Sequence, residues 1–183
     1  RTRHRGGDVE EPLAHLRGEL SPATAAERRS DLGRNLKWLG KVKAVPEASL
    51  SPAGKRHRAL AIYQLQQRTT AAQRFDIGSV QRPYPIFQQG GAYFAVPDFL
   101  DSQHSIALAS DCEAYLSRLA AFRFALDENS AYQREQAARG FLAPTWSLDL
   151  TLGQMKKLRA PAPGDSGMVR SLVKRAAAKG IAG

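Results

Sequence analysis

The chain has 183 residues, 43% of them hydrophobic, with two Trp, five Tyr and seven Phe, which is enough for a packed core and too much for a disordered chain. No apolar run reaches the roughly 18 residues of a membrane span, so no transmembrane segment is expected, and the lone Cys112 excludes a disulfide framework. The net charge of +10 is uneven: +8 over residues 1–75, −4 over 76–155 and +6 over 156–183. Basic ends around an acidic middle suit nucleic acid or an acidic surface. Cations spread along amphipathic helices are better read as solvated faces, and there is no zinc-finger spacing and no RNP-like aromatic motif, so nucleic acid is not expected as a partner.

Residues 1–19 read as a polar arm with a short apolar patch at Leu13 and Leu16. There is no initiator Met, and no apolar stretch follows Arg1-Thr-Arg-His-Arg5. The start is therefore not an intact signal peptide and reads as a processed or truncated end. Leu-Ser-Pro occurs at 20–22 and again at 50–52, each time with Ser placed to cap a helix and Pro at its first position. The first helix runs from Ser21 with Leu32, Leu36, Leu39 and Val42 at helical spacing and Trp38 beside them, and ends before Pro46. The second starts at Ser51, carries Leu60, Ile62, Tyr63 and Leu65, and fades near Phe75. Together they form a helical hairpin.

Residues 76–108 change character. Pro83, Pro85, Pro97, Gly90 and Gly91 punctuate Tyr84, Phe87, Tyr93, Phe94 and Phe99, which predicts a long ordered loop held by its aromatics. Ser110-Asp111-Cys112-Glu113 reads as a capping box opening a long helix with Tyr115, Leu116, Leu119, Phe122 and Leu126 as its buried stripe. The helix continues to Arg139, with allowance for a kink near Asp127. Gly140 closes it, and Pro144 prevents its resumption. A further helix spans about Thr145 to Leu158, Ala160 to Gly164 is a linker, and Ser166 caps a last helix out to Gly180. The expected fold class is mainly α: a multi-helix bundle with a long ordered aromatic, Pro- and Gly-rich loop at about 76–108. The expected organisation is a polar arm over 1–19 and a helical domain over 20–183.

No catalytic constellation is legible. The histidines are His4, His15, His57 and His104, and no two share the i, i+4 spacing by which a helix presents a metal site. Cys112 sits at a helix start, but Asp111 and Glu113 oppose a thiolate, so a small buried residue is the better reading. Ser166 in Gly-Asp-Ser-Gly lies between a linker and a helix and reads as an N-cap. His104 is the most interesting titratable group, either part of a binding site or a structural histidine that fixes the loop. Gln89 and Tyr93, in the Gln88-Gln89-Gly90-Gly91-Ala-Tyr93 turn, could line a cleft or serve the turn alone.

The ordered string Gly90-Gly91-Ala-Tyr93, Val96-Pro97-Asp-Phe99-Leu100-Asp101-Ser-Gln-His104, Asp111-Cys-Glu-Ala-Tyr115-Leu116-Ser-Arg118-Leu119 and Arg139-Gly140-Phe-Leu-Ala-Pro144 resembles the bacterial domain of unknown function 885 family. The resemblance covers about residues 20–183 and is densest over 90–159. It implies kinship with largely helical zinc metallopeptidases of the H-E-x-x-H type, whose metal motif lies in a C-terminal half. On that reading this chain is an N-terminal half. It carries no catalytic residue and no metal ligand of its own, and zinc is expected in the C-terminal half of the same protein.

Its part would be the wall or lid of a peptide-binding cleft, with Gln89, Tyr93 and His104 as cleft candidates, the C-terminal half as partner and a peptide as substrate. Such a half is expected to expose an apolar face. Export to the periplasm or beyond is common in the family. The rival reading is a stand-alone helical protein-binding or assembly module without enzymatic activity.

Overall fold

A computed structural model describes residues 16–181. Leu13 and the start of the arm lie outside the described residues. Within them the chain forms six α-helices: α1 Ala25–Ala44, α2 Pro52–Phe75, α3 Ala92–Ser102, α4 Ala109–Ala138, α5 Thr145–Arg159 and α6 Gly167–Ala177. The mainly α expectation holds.

α1 and α2 form the expected hairpin. Ser51 Oγ accepts the Gly54 N–H at 3.1 Å with Pro52 at the first helical position, and α2 ends at Phe75, where Asp76 turns left-handed at φ 50°. At the first Leu-Ser-Pro the cap is Thr24 instead of Ser21. Thr24 Oγ1 accepts the Glu27 N–H at 3.1 Å, while the Ala23 N–H is taken at 2.8 Å by the Glu128 carboxylate of α4. That tertiary bond holds residues 21–23 outside the helix.

The hairpin is tied to the body at its base. The Arg28 guanidinium lies 3.5 Å over the Tyr132 ring and 3.5 Å from Glu135, and Arg139 donates to the carbonyls of Phe75 and Asp76. No side chain of α1 is buried, and in α2 only Thr69 and Ala71 are.

The expected loop at 76–108 contains a helix. α3 lies inside it with Pro97 in its interior. Two features hid it. Pro97 lacks the N–H that would bond the Tyr93 carbonyl, and the cap is supplied from elsewhere. Gly91, at φ 100° and ψ 165°, is the N-cap and has no side chain, so Asn129 Oδ1 of α4 accepts the Ala92 N–H at 2.8 Å. One turn further along α4, Gln133 Oε1 accepts the Ile86 N–H at 3.1 Å. The turn before α3 is closed by paired Phe87 and Gly90 backbone bonds of 3.0 and 3.3 Å. A Cβ on Gly90 would stand 2.1 Å from the Phe87 ring.

The core lies where α3, α4 and α6 meet: Ala92, Val96, Phe99, Leu100, Ile106, Tyr115, Phe122 and Leu172. α4 is one helix closed at Gly140, φ 84°, with Phe141 N–H bonded to the Gln136 carbonyl at 2.9 Å and Gly140 N–H to that of Ala137 at 3.0 Å, a Schellman close. Its buried stripe departs from the expected one. Leu116 is 52% exposed, and the buried line runs Asp111, Tyr115, Arg118, Phe122 at i, i+4, i+7, i+11. The box at its start also shifts. Leu108 is the N-cap residue, and Asp111, in place of Glu113, reaches back. Ser166 caps α6 as expected, accepting the Val169 N–H at 3.3 Å, but the helix stops at Ala177 before a turn closed by Gly180.

The ψ and φ of Gly91 lie in a region almost closed to residues with a Cβ. Gly91→Ala is expected to cost about 2 kcal/mol, measured as a lower urea midpoint with an unchanged slope.

Candidate functional site

The polar centre of the fold is built on α4. Asp111 lies in its first turn, where a carboxylate suits the free N–H groups and the positive end of the helix dipole. Asp111 Oδ2 accepts the Ala107 and Leu108 N–H groups, both at 3.0 Å, and Arg17 Nη1 stands 3.7 Å from Oδ1. Two turns along, Arg118 faces the same way. His104, Asp111, Tyr115 and Arg118 all have 0% exposure.

Arg118 Nη1 lies 2.7 Å from His104 Nδ1, and His104 Nε2 lies 2.9 Å from the Asp111 carbonyl oxygen. A guanidinium only donates. Nδ1 is therefore the acceptor, and the proton sits on Nε2, which donates to the Asp111 carbonyl. The ring is fixed as one neutral tautomer. Phe99 and Tyr115 stand edge-on to it at 6.3 and 5.2 Å between centroids.

Arg118 also donates from Nε to the Glu19 carbonyl at 3.0 Å and from Nη2 to the Leu16 carbonyl at 3.4 Å, and its guanidinium lies 4.9 Å from the Phe99 ring centre. The end of the arm is thus anchored to α4. From α6, Arg175 donates to the Leu100 carbonyl at 2.8 Å, to that of Asp101 at 3.2 Å and to that of His104. Tyr115 Oη donates to the Met168 carbonyl at 2.8 Å, and burial pushes its phenol up to about 12.

The three cleft candidates are placed differently. His104 is wholly enclosed and both ring nitrogens are engaged, so in this structure it fixes the joint between α3 and α4. Tyr93 is 5% exposed, and its hydroxyl lies 2.8 Å from the Phe87 carbonyl and 2.7 Å from Gln154 Oε1 of α5. It ties the 87–90 turn to α5. Gln89 is the only one of the three on the surface. Cys112 is half-buried against the core, and among the described residues no group of three His, Cys, Asp or Glu side chains could hold a metal.

Two clefts run along α1 and share Asp31, Asn35 and Arg68. One, of about 630 Å³, adds Glu27, Arg34 and Trp38. The other, of about 430 Å³, adds Arg28, Asp76, Tyr132 and Glu135. Their lining is of mixed charge, with amide, aromatic and aliphatic groups between. The sequence reading did not find this groove, since its residues are scattered over α1, α2 and α4. The buried Asp111 and Arg118 left a signal in the sequence, two charges at i and i+7 on the face that carries Tyr115 and Phe122.

The chain matches a bacterial family of proteins of unknown function, DUF885, over residues 6–182. It belongs to that family. No curated protein and no solved structure matches it.

Burial, and then the Arg118 and Arg175 guanidinium groups, hold the His104 pKa below the ordinary imidazole value, against the pull of the Asp111 carbonyl. Below about pH 6.5 the unfolded chain binds a proton that the native His104 refuses. Native stability from this group is therefore full above that pH and falls as the pH drops towards the native pKa. Urea titrations at pH 7.5 and 5 are expected to show this loss, and His104→Gln is expected to flatten it.

Proposed function

We propose that this chain is the N-terminal helical portion of a zinc-dependent peptidase, and that its α1–α2 hairpin forms one wall of a peptide-binding cleft. The observation that carries the reading is the mixed-charge groove along α1, on a hairpin fastened at its base and leaving Trp38, Leu60 and Tyr63 more than half exposed. Membership of the family supports it, through the likeness of that family to cleft-bearing zinc peptidases. A groove of this kind binds a peptide by its charges and by the groups between them, and so contributes orientation.

The described residues do not fit a zinc ion, so the metal would be held by the C-terminal half of the same protein. Zinc there would polarise the scissile carbonyl and supply an activated water. Within this chain Arg68 is placed to meet a substrate carboxylate, since its side chain is exposed and lines both clefts. Gln89, on the surface turn before α3, is a second candidate for substrate contact, with Tyr93 and His104 holding that turn and the following joint in place.

The test is made on the protein isolated from its own cells. A mass well above the 20.0 kDa of this chain, about one zinc per molecule and peptide hydrolysis lost on chelation are expected. Arg68→Ala in that protein is expected to raise KM about tenfold with kcat little changed. A mass near that of this chain, with no metal and no hydrolysis, would overturn the reading and leave a stand-alone binding module.

A further inference from the structure

α5 half-buries Leu148, Met155 and Leu158, buries two polar side chains and leaves other apolar ones in solvent. Its buried residues are Ser147 and Thr151, and Gln154 reaches inward to Tyr93, whereas Trp146 and Leu150 are 60% and 54% exposed. Trp146, Leu150, Gly153 and Lys157 stand at i, i+4, i+7 and i+11, within about 60° of one another around the helix. All four are exposed. Nothing lies within 4 Å of the place where a Cβ on Gly153 would sit, so the stripe has a ridge at Leu150 and a notch beside it.

We propose that this stripe is a homodimer interface in which α5 packs antiparallel on α5 of a second copy. The order of the residues names the occupant. A two-fold axis midway between Thr151 and Leu152 brings Leu150 level with the partner's Gly153, and Trp146 level with the partner's Lys157. The ridge enters the notch twice, and an ammonium lies over an indole at each end, where the ring face attracts a cation. A two-fold contact must be self-complementary in this way. The rim agrees with it. Asp149 and Lys156 share one flank, and under the same axis each Asp149 meets the partner's Lys156 with about 3 Å of offset in height. Ser147 and Thr151 turn inward, which leaves Trp146 and Leu150 free to pair. The dimer stands apart from the peptidase reading and does not depend on it.

Sedimentation equilibrium on the purified chain, at concentrations on the order of 100 µM, is expected to show a reversible dimer. Gly153→Leu fills the notch, and nothing in the monomer lies within 4 Å of its Cβ, so it is expected to weaken the dimer at least tenfold, on the order of a hot-spot loss, while the better helix former leaves the monomer no less stable to heat. Trp146→Lys places two ammonium groups opposite one another and weakens it, whereas the double swap with Lys157→Trp restores an ammonium over an indole at each end. A monomer throughout that range would overturn the proposal. So would a dimer indifferent to Gly153→Leu, or one that the double swap fails to restore.

Discussion

A guanidinium with no exposed surface holds the body of this protein together. Arg118 donates to His104, to the Glu19 carbonyl and to the Leu16 carbonyl, and lies against Phe99. A buried charge is costly unless its donors are taken. Here they are taken by two separate pieces of chain, the end of the arm and the joint between α3 and α4, so the cost is met only when both are in place. That makes the contact a condition for the arrangement as a whole. It also dictates the state of His104, because a ring that accepts from Arg118 at Nδ1 has to keep its proton on Nε2. The Asp111 carbonyl and the Arg175 bond to the His104 carbonyl complete the joint between α3, α4 and α6.

Much of the fold was legible in the residues. Pro52 after Ser51, Gly140 before Pro144 and Ser166 before Gly167 are local signals, since a cap or a stop acts within a turn of itself. Two of the failures have a common cause. The start of α1 and the existence of α3 are each decided by a group distant in sequence, Glu128 on Ala23 and Asn129 on Ala92. The cap of α4 is local, but Asp111 fills it from three residues after Leu108, one register ahead of the Ser110 and Glu113 box. Pro97 and the glycines before Tyr93 speak for a loop when read locally, and a carboxamide on another helix overrules them. His104 was singled out as the titratable group of interest, with two roles open. The structure places it in the core with both nitrogens bonded. The groove along α1 was not legible, because no run of residues carries it.

On this rigid centre sit two faces that the centre does not use. The hairpin is held by Arg28, Arg139 and Glu128 at one end, and leaves aromatic and aliphatic groups in solvent along its length. α5 is held by hydrogen bonds from Ser147 and Tyr93 and by partly buried Leu148, Met155 and Leu158, an attachment that leaves Trp146, Leu150 and Leu152 outward. Burial is the main drive to folding, and a helix that keeps Trp146 and Leu150 out while placing Ser147 and Thr151 in leaves that part of it unused within this chain. The two faces differ in chemistry. The hairpin groove mixes charges, and the α5 stripe is a ridge and a notch.

The account stands on the neutral, Nε2-protonated His104 against Arg118. The direct measurement is the ¹⁵N spectrum of the His104 ring across a pH titration of the folded protein. The account predicts an Nε2–H signature at neutral pH that persists well below the ordinary imidazole pKa, ending only where the fold itself is lost. A ring that carries its proton on Nδ1, or that titrates near pH 6.5 with the fold intact, would contradict it.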